Sequence, residues 1–391
     1  MTGRSLRRSV VFLTGSRLVL NTTYRFVYPF LPEISRGLGI SLEQGGLLVS
    51  ARSLVGMATP AVVATAGRGG RRYRLVLAAL AMFSVGAAIT AATGAFWGAV
   101  AGFALLGLGK PAFDAGATAY VADRTPYQRR ARVLSILELT WAGGLLVGAP
   151  AAGWLIARAG WQAPFWLIAG LAAAAFLITP LAMDRDSGGE PSGRGRLGLN
   201  RSTRSLLAIV LLFSLAAEIT FVVFGAWLED RFALSLTALG GAAVVVGLAE
   251  LAGEGSVLAF ADRVGKRRMV AGGLATLSVG YVALALASGS LAWGLTVLAL
   301  SFVAFEITIV SAIPLATEAA PGARTTFLAW MWVFVSVGRA IGSAVGPVLF
   351  GAGGMAANTL VSAALSVVAL AVLTWGVREH GTGPERIGVQ P

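Results

Sequence analysis

Residues 184–204, DRDSGGEPSGRGRLGLNRSTR, form a long polar stretch inside a 391-residue chain that is 56% hydrophobic and only 13% charged. The stretch is rich in Gly, Ser, Arg and Asp, and it reads as a flexible linker. Outward from it in both directions the sequence is overwhelmingly apolar. Soluble domains carry about one quarter charged residues. Half that charge, together with 51 Gly and 10 Trp, fits a chain threaded repeatedly through a bilayer. The composition also narrows the chemistry. Cysteine is absent and the single histidine, His380, lies in the polar tail, so disulfides, thiolate metal sites and His-based triads or metal centres within the membrane are excluded. The chain contains neither H-E-x-x-H nor the P-loop pattern G-x-x-x-x-G-K-[ST], which argues against an intramembrane enzyme and against direct use of ATP. No cofactor or metal is expected.

A bilayer core asks for about 20 apolar residues per helix. That template places spans at 11–33, 42–65, 73–93, 97–121, 131–157, 162–183, 205–229, 236–260, 269–288, 291–317, 325–350 and 355–377. Six precede the linker and six follow it, which divides the chain into 1–183, the linker 184–204, and 205–391. The opening MTGRSLRRSV has the charge of a signal-peptide n-region, but no small-residue cleavage site follows, so the first span is read as retained. Of 31 Lys and Arg, 23 fall on or beside the tails and the connections of one side, and three (Arg36, Arg158, Arg231) on the other. The positive-inside rule then predicts that both termini are cytoplasmic. Arg outnumbers Lys 29 to 2, as expected of a GC-rich bacterial genome, so the predicted location is a bacterial inner membrane. The net charge of +13 follows from these loops and points to anionic lipid head groups as neighbours, not to nucleic acid.

The two sides of the linker repeat each other at an offset of 195 residues. Gly70-Arg71-Arg72 falls on Gly265-Lys266-Arg267, Asp123-x-x-Pro126-x-x-Arg129 on Glu318-x-x-Pro321-x-x-Arg324, and Gly46 on Gly241. Near the fifth spans the offset drifts to 198, matching Gly144, Gly148 and Gly153 to Gly342, Gly346 and Gly351. Parallel repeats of this kind place a substrate site near the bilayer midplane, between the halves. Charge follows the same plan. Asp114, Glu138, Glu218, Glu250, Glu254, Glu306, Arg17, Arg25, Arg52, Lys110 and Arg339 lie within spans, and all avoid spans 3, 6, 9 and 12. A charge at the bilayer centre costs at least about 2.5–3.5 kcal/mol, so charged helices must face protein or water, and the third of every triplet is left to face lipid.

With these features the chain resembles the major facilitator superfamily, whose members are two six-helix bundles related by a pseudo-twofold axis. The resemblance covers residues 11–377. It implies an all-α polytopic protein with cavity helices 1, 4, 7 and 10, rocking helices 2, 5, 8 and 11, and outer helices 3, 6, 9 and 12. The family's loop signature G-x-L-a-D-R-x-G-R-K is matched by Asp262-Arg263-Val264-Gly265-Lys266-Arg267. In the first half it becomes Gly67-Arg68-Gly69-Gly70-Arg71-Arg72, with glycine in place of the aspartate. The resemblance implies a cytoplasmic gate at Arg68, Arg71, Asp262, Arg263, Gly265 and Arg267, with Asp262 carrying any latch alone. Gly144-x-x-x-Gly148-Ala149-Pro150-x-x-Gly153 is similar to the antiporter motif of the fifth helix, with one alanine inserted before the proline. The helix-4 arginine of drug/proton antiporters is replaced here by Gly102.

Within the spans, Arg17, Asn21, Arg25 and Tyr28 form one polar stripe on helix 1. Arg17 is expected to snorkel to the interface, and Arg25 to line the cavity. Lys110 and Asp114 are four apart and can pair within their helix. Burial disfavours the charged form of a carboxyl group, and Asp114, Glu218 and Glu306 are expected to include a proton-coupling site. Glu250 and Glu254 share one helical face and need Arg339 or Arg52 nearby, or one of them protonated; Glu138 is expected against a loop arginine such as Arg129 or Arg132, and Trp141 beside it as a cavity wall. The expected function is secondary active transport by alternating access: a monomer exporting a small amphipathic or lipophilic compound in exchange for protons. A lipid or lysolipid flippase is the second reading, suggested by Arg25, Arg52, Lys110 and Arg339.

Overall fold

The computed structural model describes residues 3–58, 60, 61, 71–185 and 200–377. Arg68 with its neighbouring glycines, the end of the second predicted span, the middle of the linker and His380 lie outside the described residues. What is described is helical, with no strand among the described residues. In order the helices are α1 (Gly3–Gly37), α2 (Leu42–Gly56), α3 (Arg72–Ala92), α4 (Phe96–Arg124), α5 (in pieces between Tyr127 and Ala159), α6 (Gln162–Ala182), and α7 (Arg201–Phe221, continued by Phe224–Phe232). They continue with α8 (Leu236–Val264), α9 (Lys266–Ala285), α10 (Leu291–Ala319), and a run Arg324–Gly376 that divides into α11 (324–352) and α12 (355–376). The division falls at Gly353 and Gly354, where Gly354 takes φ +61°, a left-handed conformation that suits glycine.

Local chemistry sets several boundaries. Ser41 caps α2, accepting from the Gln44 amide while the Gln44 side chain accepts from the Ser41 amide, a reciprocal capping box. Asn200 and Ser235 cap α7 and α8 in the same sense. α5 is broken by its own sequence. Pro150 has no N–H to offer the helical ladder, and the turn before it, Gly144–Gly148, widens into a π-helical turn.

Packing repeats six helices on. α3 lies against α4 and α6, and α2 against α4; in the same way α9 lies against α10 and α12, and α8 against α10. The contacts between the two sets, α2 with α11 and α5 with α8, exchange under that same operation. α6 and α12 turn apolar side chains outward, Leu177, Leu181, Leu360 and Val367 among them, as lipid-facing helices do.

The two sets meet tightly at the end remote from the termini. A Cβ on Gly46 of α2 would stand 2.3 Å from the Ser343 carbonyl oxygen of α11, and one on Gly225 of α7 2.3 Å from the Pro29 carbonyl oxygen of α1. Backbones approach this closely only through small residues. Arg36 closes the same end, reaching Glu33 at 2.7 Å and Glu229 of α7 at 2.8 Å.

Candidate functional site

Between the sets runs a seam of ionisable side chains carried by α1, α2, α4, α5, α7, α8, α10 and α11. Its first cluster is built on Arg17. Nε of Arg17 donates to Asp114 at 2.9 Å, and its two Nη groups fork onto Glu138 at 2.8 and 3.1 Å. Lys110 bonds the other Asp114 oxygen, the pairing its four-residue spacing predicts. Two sequence expectations are corrected here. Arg17 is 8% exposed and does not snorkel. Glu138 engages Arg17, not Arg129 or Arg132, which lie nine and six residues away on the same helix, outside the three- and four-residue spacings at which helical side chains meet, while the Arg17 guanidinium forks onto its carboxylate.

The second cluster joins the sets. Arg25 of α1 is hydrogen-bonded to Glu250 of α8, and both are buried. The hydrogen-bonding partner of Glu250 is Arg25, which was not anticipated, while Arg339, one of the cations expected near it, lies within electrostatic reach. The guanidinium of Arg25 also lies 4.6 Å from the Trp141 ring centroid, with Lys110 at 5.9 Å and Arg339 at 6.0 Å from the same ring. Trp141 thus stands among cations attracted by its negative face. On the α5 side of α1, the Asn21 amide donates to Thr140 at 2.9 Å.

The third cluster surrounds Glu218 of α7. Tyr28 and Ser343 each donate a hydroxyl at 2.8 Å, and Arg339 Nε lies 3.5 Å away. Arg52 of α2 donates to the Tyr28 hydroxyl and to the Tyr24 carbonyl, both at 3.2 Å, and stacks 4.1 Å over the Tyr24 ring. The Tyr28 hydroxyl therefore passes one hydrogen bond along from Arg52 to Glu218, linking α2, α1 and α7.

Two acids stand apart. Glu306 of α10 is 5% exposed and makes no ion pair or hydrogen bond among the described residues. It packs where α10 crosses Gly253 of α8, within electrostatic reach of Glu250, Glu254, Arg25 and Arg339. Glu254 is half-buried and likewise without a partner among the described residues. Access to the seam is uneven. The side chain of Glu138 is 59% exposed and that of Asp114 27%, whereas those of Arg25, Glu250 and Glu218 are nearly sealed.

The described residues of the loop motif are exposed or half-buried. Arg71 is exposed at the start of α3, and Asp262 and Arg263 are exposed with no partner among the described residues. Gly265 supplies the α8–α9 turn at φ +91°. Arg267 donates to the carbonyls of Leu373 and Thr374 on α12. The ion pairs beside the motif, Arg72 with Asp123 and Lys266 with Glu318, stay within their own sets. Among the described residues Asp262 makes no contact across the seam; the first-half loop around Arg68 lies outside them. Sequence reading missed Tyr24, Thr140 and Ser343. Ser343 lies four residues after Arg339 and Tyr24 seven after Arg17, so helical spacing put both on faces already marked as polar.

A helical membrane protein built of two matching sets, with a charged seam between them that is sealed at one end, is a carrier by architecture. Residues 13–253 match the family model described as the Major Facilitator Superfamily, and the chain belongs to that family. It is 29% identical over 282 residues to the class C tetracycline resistance protein of Escherichia coli, covering 67% of this chain and 69% of that one. Over 394 residues it is 24% identical to the uncharacterized MFS-type transporter YwfA of Bacillus subtilis (strain 168), covering 95% and 91%. Its fold is similar to the inward-facing, occupied crystal structure of a bacterial homologue of the human lysosomal transporter Spinster, with TM-score 0.74 at 16% identity over 93% of this chain and 95% of that one.

Proposed function

We propose that this transporter exports a small amphipathic compound in exchange for protons, by alternating access between bundles 1–183 and 205–391, in a bacterial inner membrane with both termini cytoplasmic. In that orientation the sealed end is periplasmic and the end that exposes Glu138 and Asp114 is cytoplasmic, which is the arrangement of an exporter ready to load. The observation that carries the coupling is Glu306. An acid buried without a partner can gain or lose a proton without breaking a hydrogen bond, and its charge is felt by the Arg25–Glu250 pair that joins the sets. Similarity to a tetracycline resistance protein supports efflux of a compound of that size and polarity. The central arginines lend little to the flippase reading, because Arg17, Arg25, Arg52 and Arg339 are all engaged by protein groups.

The test is a proteoliposome assay with an imposed pH gradient, offering labelled tetracycline, sugars and lysolipids in parallel. Gradient-driven movement of tetracycline or another small amphiphile, lost in Glu306→Gln, is the expected result. Movement of lysolipid alone, or flux indifferent to the gradient, would sink this reading.

A further inference from the structure

Where α1 meets α6 at the terminal end of the molecule there is a groove of about 470 Å³. Its floor is apolar and open: Val11 is 65% exposed, Ile178 47% and Leu181 72%, with Phe12 half-buried beside them. Its outer rim is basic. Arg7 and Arg8 are exposed and have no ion pair or hydrogen bond among the described residues. Helical spacing puts Arg7 and Arg8 one turn from Val11 and Phe12 on the same face of α1. Ile178, Leu181 and Ala182 repeat the spacing on α6, which runs the opposite way. The Ser9 hydroxyl donates to the Ala182 carbonyl at 2.8 Å and fixes the two helices at the mouth.

The polarity of the groove is that of an amphiphile: two unspent cations at the level of the helix ends, then an apolar trough leading toward the membrane interior. A second groove of about 530 Å³, between Val245 and Leu248 of α8 and Leu295 and Val303 of α10, has no charged side chain in its lining. Lipid tails alone would not choose between the two; charge does. We propose that the α1–α6 groove is a binding site for an anionic glycerophospholipid, its phosphate held by Arg7 and Arg8 and one acyl chain laid along Val11, Phe12, Ile178 and Leu181. Each basic side chain near an anionic lipid surface is worth roughly fivefold in affinity, so the pair together contributes roughly 25-fold.

The experiment is native mass spectrometry of the full chain in detergent, titrated with phosphatidylglycerol, with phosphatidylcholine of the same acyl chains, and with inorganic phosphate. Phosphatidylglycerol is expected to bind more tightly than phosphatidylcholine. Arg7→Gln with Arg8→Gln should weaken it by roughly 25-fold, whereas Arg7→Lys with Arg8→Lys should retain most of the binding. Leu181→Asn, at an exposed position that folding does not need, should weaken both lipids. Arg74→Gln with Arg268→Gln removes two exposed cations from the same side of the molecule, away from the groove, and should leave binding unchanged. Equal weakening by that remote pair, an unaltered Leu181→Asn, or displacement of the lipid by inorganic phosphate would each overturn the site.

Discussion

Arg25 and Glu250 are buried partners on opposite sets of helices, bonded across the seam that must part if the sets are to move. The Arg25 Nε and the second Glu250 oxygen have no hydrogen-bond partner, so Glu250 leans on this one contact and Arg25 on it and the Trp141 ring. Removing one member of a buried pair costs about 3–5 kcal/mol, since the other is left charged and dry. Glu250→Met and Arg25→Met are each expected to lower the melting temperature sharply. The double variant Arg25→Met with Glu250→Met should lie closer to the parent than either single change. A double-mutant cycle with no coupling would show that the pair does not join the sets.

Glu306→Gln should behave in the opposite way. No partner is lost, so thermal stability should stay at or above that of the parent while gradient-driven transport falls at least tenfold. Counterflow, which exchanges substrate without net proton movement, is expected to survive. A variant that loses both activities equally would place Glu306 in substrate binding and not in coupling.

Asp114→Asn leaves Lys110 without its ion-pair partner and leaves Arg17 with Glu138 alone, at a partly exposed position. Partial exposure softens the cost, to about 1–3 kcal/mol. Coupling and stability should fall together, which distinguishes this position from Glu306 in a parallel thermal-shift and transport measurement.

Gly46→Leu puts a side chain where the Ser343 carbonyl now sits. The sealed end cannot then close, and the protein should rest with that end open and transport abolished. The chain has no native cysteine, so single reporter cysteines at that end can be labelled without interference. Their labelling rate should rise at least tenfold in Gly46→Leu.

Arg36, beyond the apolar span of α1, reports on the same end. Burial pulls its guanidinium pKa down, but its bonds to Glu33 and Glu229 outweigh this and hold it above the usual arginine value. The sign follows: its contribution is fully present below the ordinary arginine range and is lost only above the raised value. Labelling at the sealed end, taken relative to a cysteine at an exposed loop position so that thiol ionisation cancels, should therefore be flat between pH 7 and 10. The Arg36 side chain is 54% exposed, so Arg36→Gln should open that end by less than about 1 kcal/mol, and salt should reproduce the effect.

How much of this was readable in the sequence depends on the range of each interaction. The pairing of Lys110 with Asp114 was legible because both lie on one helix four residues apart. The repeat was legible because its matched residues recur in order at a near-constant offset, with Asp123 and Glu318 each near the end of the fourth helix of its set. The second partner of Asp114 was not, since nothing local ties position 17 to position 114, and an arginine near a helix end suggests snorkelling on composition alone. Glu250 failed for the same reason. Its face was known, but which cation reaches it depends on how α1 sits against α8. The break in α5 was visible as Pro150 with three glycines around it, but its consequence was not: Thr140 and Trp141 are turned toward Asn21 and Arg25.

The clamps Arg72–Asp123 and Lys266–Glu318 occupy corresponding places, each tying the start of one helix to the end of the next inside its own bundle. Neither needs to be undone for the bundles to part. Under the proposed alternating access, the work of a stroke is concentrated in the few contacts that cross, with each bundle expected to travel as a stiff body. Substitutions at the clamps should alter how much properly folded protein accumulates, whereas turnover is set where one bundle touches the other.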